Sequence, residues 1–206
     1  MLPDARAKWQ AVAARVAEVA HGMGRPVLVG TRTVRSSEQI AALLASADRA
    51  HVVLTAKQDR AEAEVIARVG QRDAVTVATN LAGRGTDIVL GDGVAALGGL
   101  HVILTEHHES ARIDRQLFGR AARQGDLGSG EAIVALDGEL FVVHAPQPAR
   151  LLGRLLHGQA LWPPSLHALL RRSAQWAAES RDRRLRGASV EHDRHLAAML
   201  AFSGRG

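Results

Sequence analysis

The sequence predicts an α/β fold: a parallel β-sheet covered by helices on both faces, with a helical appendage behind it. Three observations carry this. Short apolar runs alternate with helical stretches of roughly 10–14 residues, the rhythm of strand–helix–strand units. The runs are continuously apolar rather than alternating in polarity, as strands buried on both faces require. After Leu140 the rhythm stops, and Pro146, Pro148, Pro163 and Pro164 interrupt the chain.

Each element follows in order. Residues 4–21 are rich in Ala and place Trp9, Val12, Val16 and Val19 at helical spacing. Gly22 and Gly24 stop that helix before Pro26. Val27-Leu28-Val29 reads as a buried strand, and Ser36 or Ser37 as the cap of a helix to about Ala47. Val52-Val53-Leu54 is the next strand, and Asp59 opens a helix through Val69 that Gly70 ends. Val75-Thr76-Val77-Ala78 is a strand running into a glycine-rich loop. Leu100 to Leu104 is another, and Ser110 caps a helix to about Ala122. Ile133-Val134-Ala135-Leu136 closes the sheet. Residues 144–164 read as a linker with at most one short helix. Leu166, Leu169, Leu170, Ser173, Trp176 and Ala177 mark an amphipathic helix over 165–186, docked through Leu166, Leu169, Leu170 and Trp176. Gly187 then interrupts it, and a weaker helix carries Leu196, Met199 and Leu200. The division expected is 1–143, 144–164 and 165–202. In such sheets ligands sit at the carboxyl ends of the strands, which draws attention to the loops after residues 30, 55, 78 and 105.

Composition narrows the class. Apolar residues make up 47 % of the 206, enough for a core, yet aromatics are only 3 %, so Ala, Val, Leu and Ile must build it. The absence of cysteine excludes disulfides and thiolate zinc sites and fits a reducing cytosol. No run approaches the roughly 20 apolar residues of a membrane span, and residues 4–21 lack a signal-peptide core. A cytoplasmic chain is expected. Charge is uneven: residues 1–149 hold 16 Lys/Arg against 17 Asp/Glu, whereas 150–206 hold 10 Arg against 4 acids. A basic tail suits nucleic acid, anionic lipid or an acidic protein face, and a solvated helix face would look the same.

Two segments carry chemistry. In Ala78-Thr79-Asn80-Leu81-Ala82-Gly83-Arg84-Gly85-Thr86-Asp87-Ile88, Gly83 and Gly85 flank Arg84 after a buried strand. The backbone can turn sharply there and present Arg84 and amide N–H groups to phosphates, while Asp87 can accept hydrogen bonds from a ribose or an arginine. An ordinary strand-to-helix turn uses the same residue types. In Gln116-Leu117-Phe118-Gly119-Arg120-Ala121-Ala122-Arg123-Gln124-Gly125, Arg120 and Arg123 are three apart, one face of a helix end and a fork suited to phosphate oxygens. The helix dipole also favours arginine there. Neither segment decides the matter alone. His107-His108-Glu109 is not read as a metal site, because adjacent residues do not converge on one ion.

Together, in this order, the two segments resemble motifs V and VI of the superfamily-two helicases. Leu54-Thr55-Ala56-Lys57, Glu62 to Ala67, Ala74 to Asn80, Gly98 to Ile103 and Thr105 to Asp114 narrow the resemblance to the SecA family of preprotein translocase ATPases. Pro26 to Thr31 resembles its motif IV strand. The resemblance covers about Trp9 to Leu140 and implies the second RecA-like motor domain, of P-loop NTPase type. It implies that Asp87 contacts nucleotide with Gly85, Thr86 and Gln116. It also implies that Arg84 couples to the nucleotide site and that Arg120 and Arg123 reach the phosphates. Glu106 and Arg112 would support that face. Ala122 departs from the family's usual Gly, and Asp137-Gly138-Glu139-Leu140 keeps only part of an acidic signature.

A Walker A loop needs Gly-Lys followed by Ser or Thr. The two lysines here, Lys8 and Lys57, each follow Ala, and no Asp-Glu-x-Asp run is present to hold Mg²⁺. ATP is therefore expected as a cofactor whose Mg²⁺ is held by a missing partner, an ATP-binding first motor domain, and the chain is expected to be inactive alone. A fragment, a split-gene product or a shortened homologue would each read this way. The resemblance adds the protein-export channel and anionic lipid as further partners, with a peripheral place at the inner face of the membrane. The alternatives are half of a nucleic-acid helicase, disfavoured by the scarcity of stacking aromatics, and a non-catalytic interaction domain.

Overall fold

A computed structural model describes residues 1–54, 66–79, 87–121, 125–155 and 163–203. Five parallel strands, β1 (Val27–Thr31), β2 (Val52–Leu54), β3 (Val75–Thr79), β4 (Leu100–Leu104) and β5 (Gly128–Ala132), lie in the order β2-β3-β1-β4-β5. Helices α1 (Ala5–Val16), extended by a wider π turn over Ala17–Gly22, and α2 (Val34–Ser46) precede and follow β1. α3 (Ala111–Phe118), α4 (Glu139–His144), α5 (Pro146–Leu155) and α6 (Pro164–Ser203) complete the chain.

β1, β3 and β4 are buried at every residue, as their unbroken apolar runs require. Successive side chains then supply two cores. Val27, Val29, Val75, Val77 and Ile103 pack beneath Val12, Val16 and Val19 of the first helix and Ile40 and Leu44 of α2. Leu28, Ala78, Leu100, Val102 and Leu104 pack on the opposite face against Leu117, Ala121 and the helical turn that holds Ile66 and Val69. The rest of the helix expected over 59–69 lies outside the described residues.

The cap of α2 is Thr33, whose hydroxyl accepts from the Ser36 N–H. Ser36 and Ser37 are buried inside the helix instead, Ser37 bonded to Thr31 at 2.6 Å. The closing strand also differs from expectation. β5 is Gly-Ser-Gly-Glu-Ala, a poor strand former by composition, while Ile133 to Leu136 lie beyond it. β4 needs a partner along its open edge, and α3 lies so close to the sheet that only glycine fits beneath it. A methyl group on Gly128 would overlap the Ala121 carbonyl, and one on Gly130 would sit 2.6 Å from the Phe118 ring. Close packing overrides propensity here. Polar bonds then stitch β5 in place: Arg25 donates to Ser129 at 2.7 Å, Ser129 meets His101 Nδ1 at 2.8 Å, and His101 Nε2 meets Glu131, which also pairs with Arg15.

The segment expected to be a linker holds α5, whose Ala149 is buried with Ala145 in a third core made by Val134, Leu140, Phe141 and α6. α6 runs through Gly187 without a break. Its buried stripe is Leu170, Ala174 and Ala178, with Leu166 half-buried, whereas Leu169 and Trp176 are 66 % and 69 % exposed. The docking face is therefore rotated by about one residue from the stripe the large side chains suggested. Small alanines let the helix approach α4 closely, and that outweighs the area a tryptophan would bury. Arg172, Arg181, Arg183 and Arg184 are exposed, as expected, and Arg171 is half-buried.

Candidate nucleotide-facing site

α3 is the element that carries the second arginine segment. Ser110 caps it, accepting from the Arg112 N–H, and Leu117 is its buried anchor. A methyl group on Gly30 would overlap Leu117, so this side chain lies directly on the β1 backbone near the carboxyl end of that strand. Ala121 lies against Gly128, which pairs with Leu100 at the amino end of β4. The helix thus starts at the carboxyl edge and delivers its last residues to the amino edge. It ends at Phe118, earlier than the expected Ala122, because Gly119 caps it and the next amides turn back three residues, Arg120 N–H to Leu117 O and Ala121 N–H to Phe118 O. Gln116 is exposed on the last helical turn. Arg120 is half-buried in the turn that follows, not on the helix. Arg123 lies outside the described residues.

The first arginine segment leaves the carboxyl end of β3. Arg84, Gly85 and Thr86 lie outside the described residues. The chain reappears at Asp87, which is exposed, and by Gly91 it is bonded to Gly70 O at 2.9 Å. An open cleft of about 370 Å³ is lined by Asp87, Ile88, Leu90, Asp92, Gly93 and Asp126. Asp126 stands two residues before β5, in the loop that follows Arg120. The structure therefore brings Asp87 and Ile88, the end of the first segment, to one cleft with Asp126, the residue after the second, on the amino side of the sheet rather than at the carboxyl ends singled out above. Its carboxylates can accept hydrogen bonds from sugar hydroxyls but repel phosphate. Phosphate oxygens would need the arginines of the two segments.

Among the described residues, the carboxyl edge carries internal pairs. Lys8, 3 % exposed, donates to Glu106 at 3.0 Å and its ammonium lies 3.8 Å from the centroid of Trp9. Ser36 donates to the same carboxylate at 2.9 Å. Arg32 pairs with Glu109 at 3.2 Å and Glu139 at 3.5 Å. Glu106 thus braces α1 and α2 against the end of β4, at the edge opposite the cleft and not beside the motif loops. Arg112 is exposed.

The sequence reading missed a buried polar node at the start of α3. Asp114, 2 % exposed, accepts from the His108 N–H at 3.0 Å and meets His108 Nδ1 at 2.7 Å and His107 Nδ1 at 2.9 Å. Gln175 of α6 donates to Asp114 Oδ2, the oxygen that His107 also meets, and to His108 O, both at 3.0 Å. Burial alone would raise the Asp114 pKa, but these hydrogen bonds overcome it and hold the carboxyl well below its usual range. Bonding to the carboxylate places Nδ1 protons on His107 and His108, and His107 Nε2 lies 3.0 Å from His167 Nε2. Burial, then the neighbouring His107, push His167 down to about 4. The signal was present as a buried-type acid six and seven residues after paired histidines, but its partner on α6 is sixty-one residues away.

The class follows from the sheet. Among solved structures, the DEAD-box protein SrmB of E. coli matches with a TM-score of 0.54 and 22 % identity, over 66 % of this chain and 74 % of that one. The C-terminal part of the Fun30 ATPase domain matches with a TM-score of 0.53 and 12 % identity, over 84 % and 54 %. At these identities the likeness shows the fold alone, and that is a RecA-like α/β fold. The SecA P-loop domain family matches residues 2–95 and 92–155. The chain is 49 % identical over 203 residues to protein translocase subunit SecA 2 of Nitrosospira multiformis, covering 98 % of this chain and 30 % of that protein. It is 44 % identical over 191 residues to protein translocase subunit SecA of Desulfotalea psychrophila, 92 % of this chain and 22 % of that protein. The chain belongs to the SecA family, and it spans about three tenths or less of the length of these relatives.

Proposed function

We propose that this chain acts as the second motor half of a protein-translocating ATPase and completes a nucleotide site whose P-loop and Mg²⁺ are supplied by another domain or chain. The observation that supports it is the meeting of Asp87, at the end of the first segment, and Asp126, the residue after the second, at one open cleft of a sheet that has no Gly-Lys-Ser/Thr loop of its own. Arg120, with Arg84 and Arg123, would face the phosphates of a nucleotide held across that cleft, and Asp87 with Gly85, Thr86 and Gln116 would complete the contact. Such arginines stabilise charge on a leaving γ-phosphate. ATP supplies the phosphoryl group when bound; this chain's residues orient and neutralise it. The partners on this reading are an ATP-binding first motor domain, the export channel beyond it and anionic lipid for the basic tail. It would work in the cytoplasm or at the inner membrane face. Among the described residues no helix is long and apolar enough to cross a membrane.

The test is steady-state phosphate release. The chain alone should give background turnover, and a matching first motor domain should restore it. Arg120→Ala or Arg123→Ala should then remove much of it, since an arginine finger is worth roughly 10³–10⁵ in rate. Equal turnover with and without both arginines would reject the assignment.

A further inference from the structure

α6 is seated by two different kinds of contact. Its alanine stripe packs against α4 and the third core, and such a smooth apolar face sets distance better than axial position. Gln175 supplies what the stripe lacks. It is 5 % exposed and spends its amide on Asp114 Oδ2 and His108 O, both 3.0 Å away. His167, two turns earlier, adds the bond to His107. These donors reach the first turn of α3, and α3 is a single rigid piece of about 12 Å. Arg120 lies in the turn that follows it. The helix and that turn rest on the sheet through Leu117 on Gly30, Phe118 over Gly130 and Ala121 on Gly128, while Arg112, Arg115 and Gln116 are exposed. A shift of the first turn would therefore change how the helix sits on these glycines, and the arginine turn lies between the last two contacts.

We propose that Gln175 is a positioning residue for the arginine end of α3: by bonding Asp114 and the His108 carbonyl, it makes the placement of Arg120 depend on α6 being seated. The consequence for hydrolysis rests on the motor reading above; the consequence for α3 does not.

The experiment uses the full chain with Gln175→Leu, which keeps the bulk and removes both donors, and Gln175→Met as a second variant should leucine not be accommodated. Trp176→Ala, on the exposed side of the same helix, is the control. Amide hydrogen exchange is read across residues 111–121. Loss of two bonds to a charged node should speed exchange there roughly tenfold in either glutamine variant, with α2 and β3 unchanged and Trp176→Ala like wild type. In the two-component phosphate-release assay, kcat should fall by a similar factor while KM for ATP moves less than about twofold, because a displaced arginine loses contacts made in the transition state. Unchanged exchange across α3 would overturn the proposal. So would arginine-dependent hydrolysis that is indifferent to Gln175. Hydrolysis that never appears, or that ignores Arg120→Ala, would instead defeat the motor reading and leave the exchange result to decide the tie.

Discussion

The closeness of α3 to the sheet rests on Gly30, Gly128 and Gly130, and substituting each should cost according to what the new methyl group meets. At Gly128 it would meet backbone: a methyl group there lies 2.5 Å from the Ala121 carbonyl carbon and closer still to its oxygen. No rotamer relieves that, so either α3 lifts or β5 parts from β4. At Gly130 the obstacle is the Phe118 ring at 2.6 Å, and at Gly30 it is the end of Leu117. Both are side chains with some room to turn. Overpacking of this kind costs about 1–3 kcal/mol and more where backbone must move. Removing a glycine from the unfolded chain returns about 0.4–1 kcal/mol. Gly128→Ala should therefore lose about 3 kcal/mol or more, and Gly30→Ala and Gly130→Ala about 1–2 kcal/mol each. A cycle isolates the contact: Leu117→Ala alone should cost about 2–5 kcal/mol, but combined with Gly30→Ala the total should fall short of the sum by about 1 kcal/mol or more, because the second methyl group enters the space the leucine left. Urea unfolding followed by circular dichroism reads all five variants. Strict additivity of Gly30→Ala and Leu117→Ala, or a Gly128→Ala chain as stable as wild type, would refute the packing argument.

Other changes test other parts of the structure. Lys8→Met should cost about 3 kcal/mol by leaving Glu106 against Ser36 alone, and Glu106→Gln added to it should restore part of that loss; urea midpoints compare the two. Ala174→Leu should unseat α6, because Ala174 is wholly buried, while Trp176→Ala at a 69 % exposed site should stay within about 0.5 kcal/mol of wild type; exchange protection across 165–180 separates them. His167 is pushed down to about 4 from 6.5 in the folded chain, so the unfolded chain binds the proton first as pH falls. Stability should be full above about pH 6.5 and decline towards pH 4, by no more than about 2–3 kcal/mol after solvent screening. His167→Gln should flatten that slope in a pH series of urea midpoints, and an unchanged slope would show that other groups set it.

The parts of the fold that were legible in the sequence are those that apolar patterning decides. Val27 to Val29, Val75 to Ala78 and Leu100 to Leu104 announce strands because a strand buried on both faces has no other use for polar residues. β5 was not legible because its residues were chosen for what lies above them. Gly128 and Gly130 are flat ground for α3, and no propensity encodes a helix that has yet to arrive. The α6 stripe failed for a related reason. Leu169 and Trp176 are the larger apolar side chains, but a helix packed tightly on α4 is limited by approach distance, which favours Ala174 and Ala178.

The candidate site was legible as motifs and not as a place. Arg120, Asp87 and Gln116 were found as residue types at telling spacings, and the rule that ligands gather at strand carboxyl ends pointed to the edge opposite the one where the structure places Arg120 and Asp87. The structure gives the reason. Among the described residues, Lys8 and Arg32 at the carboxyl edge are already held by Glu106, Glu109 and Glu139, three carboxylates against two cations, a balance that disfavours a phosphate there. α3 begins at that edge and descends across the sheet, and its arginine turn emerges at the opposite rim, beside the loop that holds Asp126. On the proposed reading this displacement is what lets one sheet serve a nucleotide it does not hold. A P-loop domain keeps its ligand at its own carboxyl edge, and an arginine offered to it must come from the side of a neighbour. The described part of the carboxyl edge is occupied by ion pairs, and the turn that carries Arg120 lies at the other. Reversing the Lys8–Glu106 pair should therefore damage stability while leaving the arginine dependence of any restored hydrolysis intact.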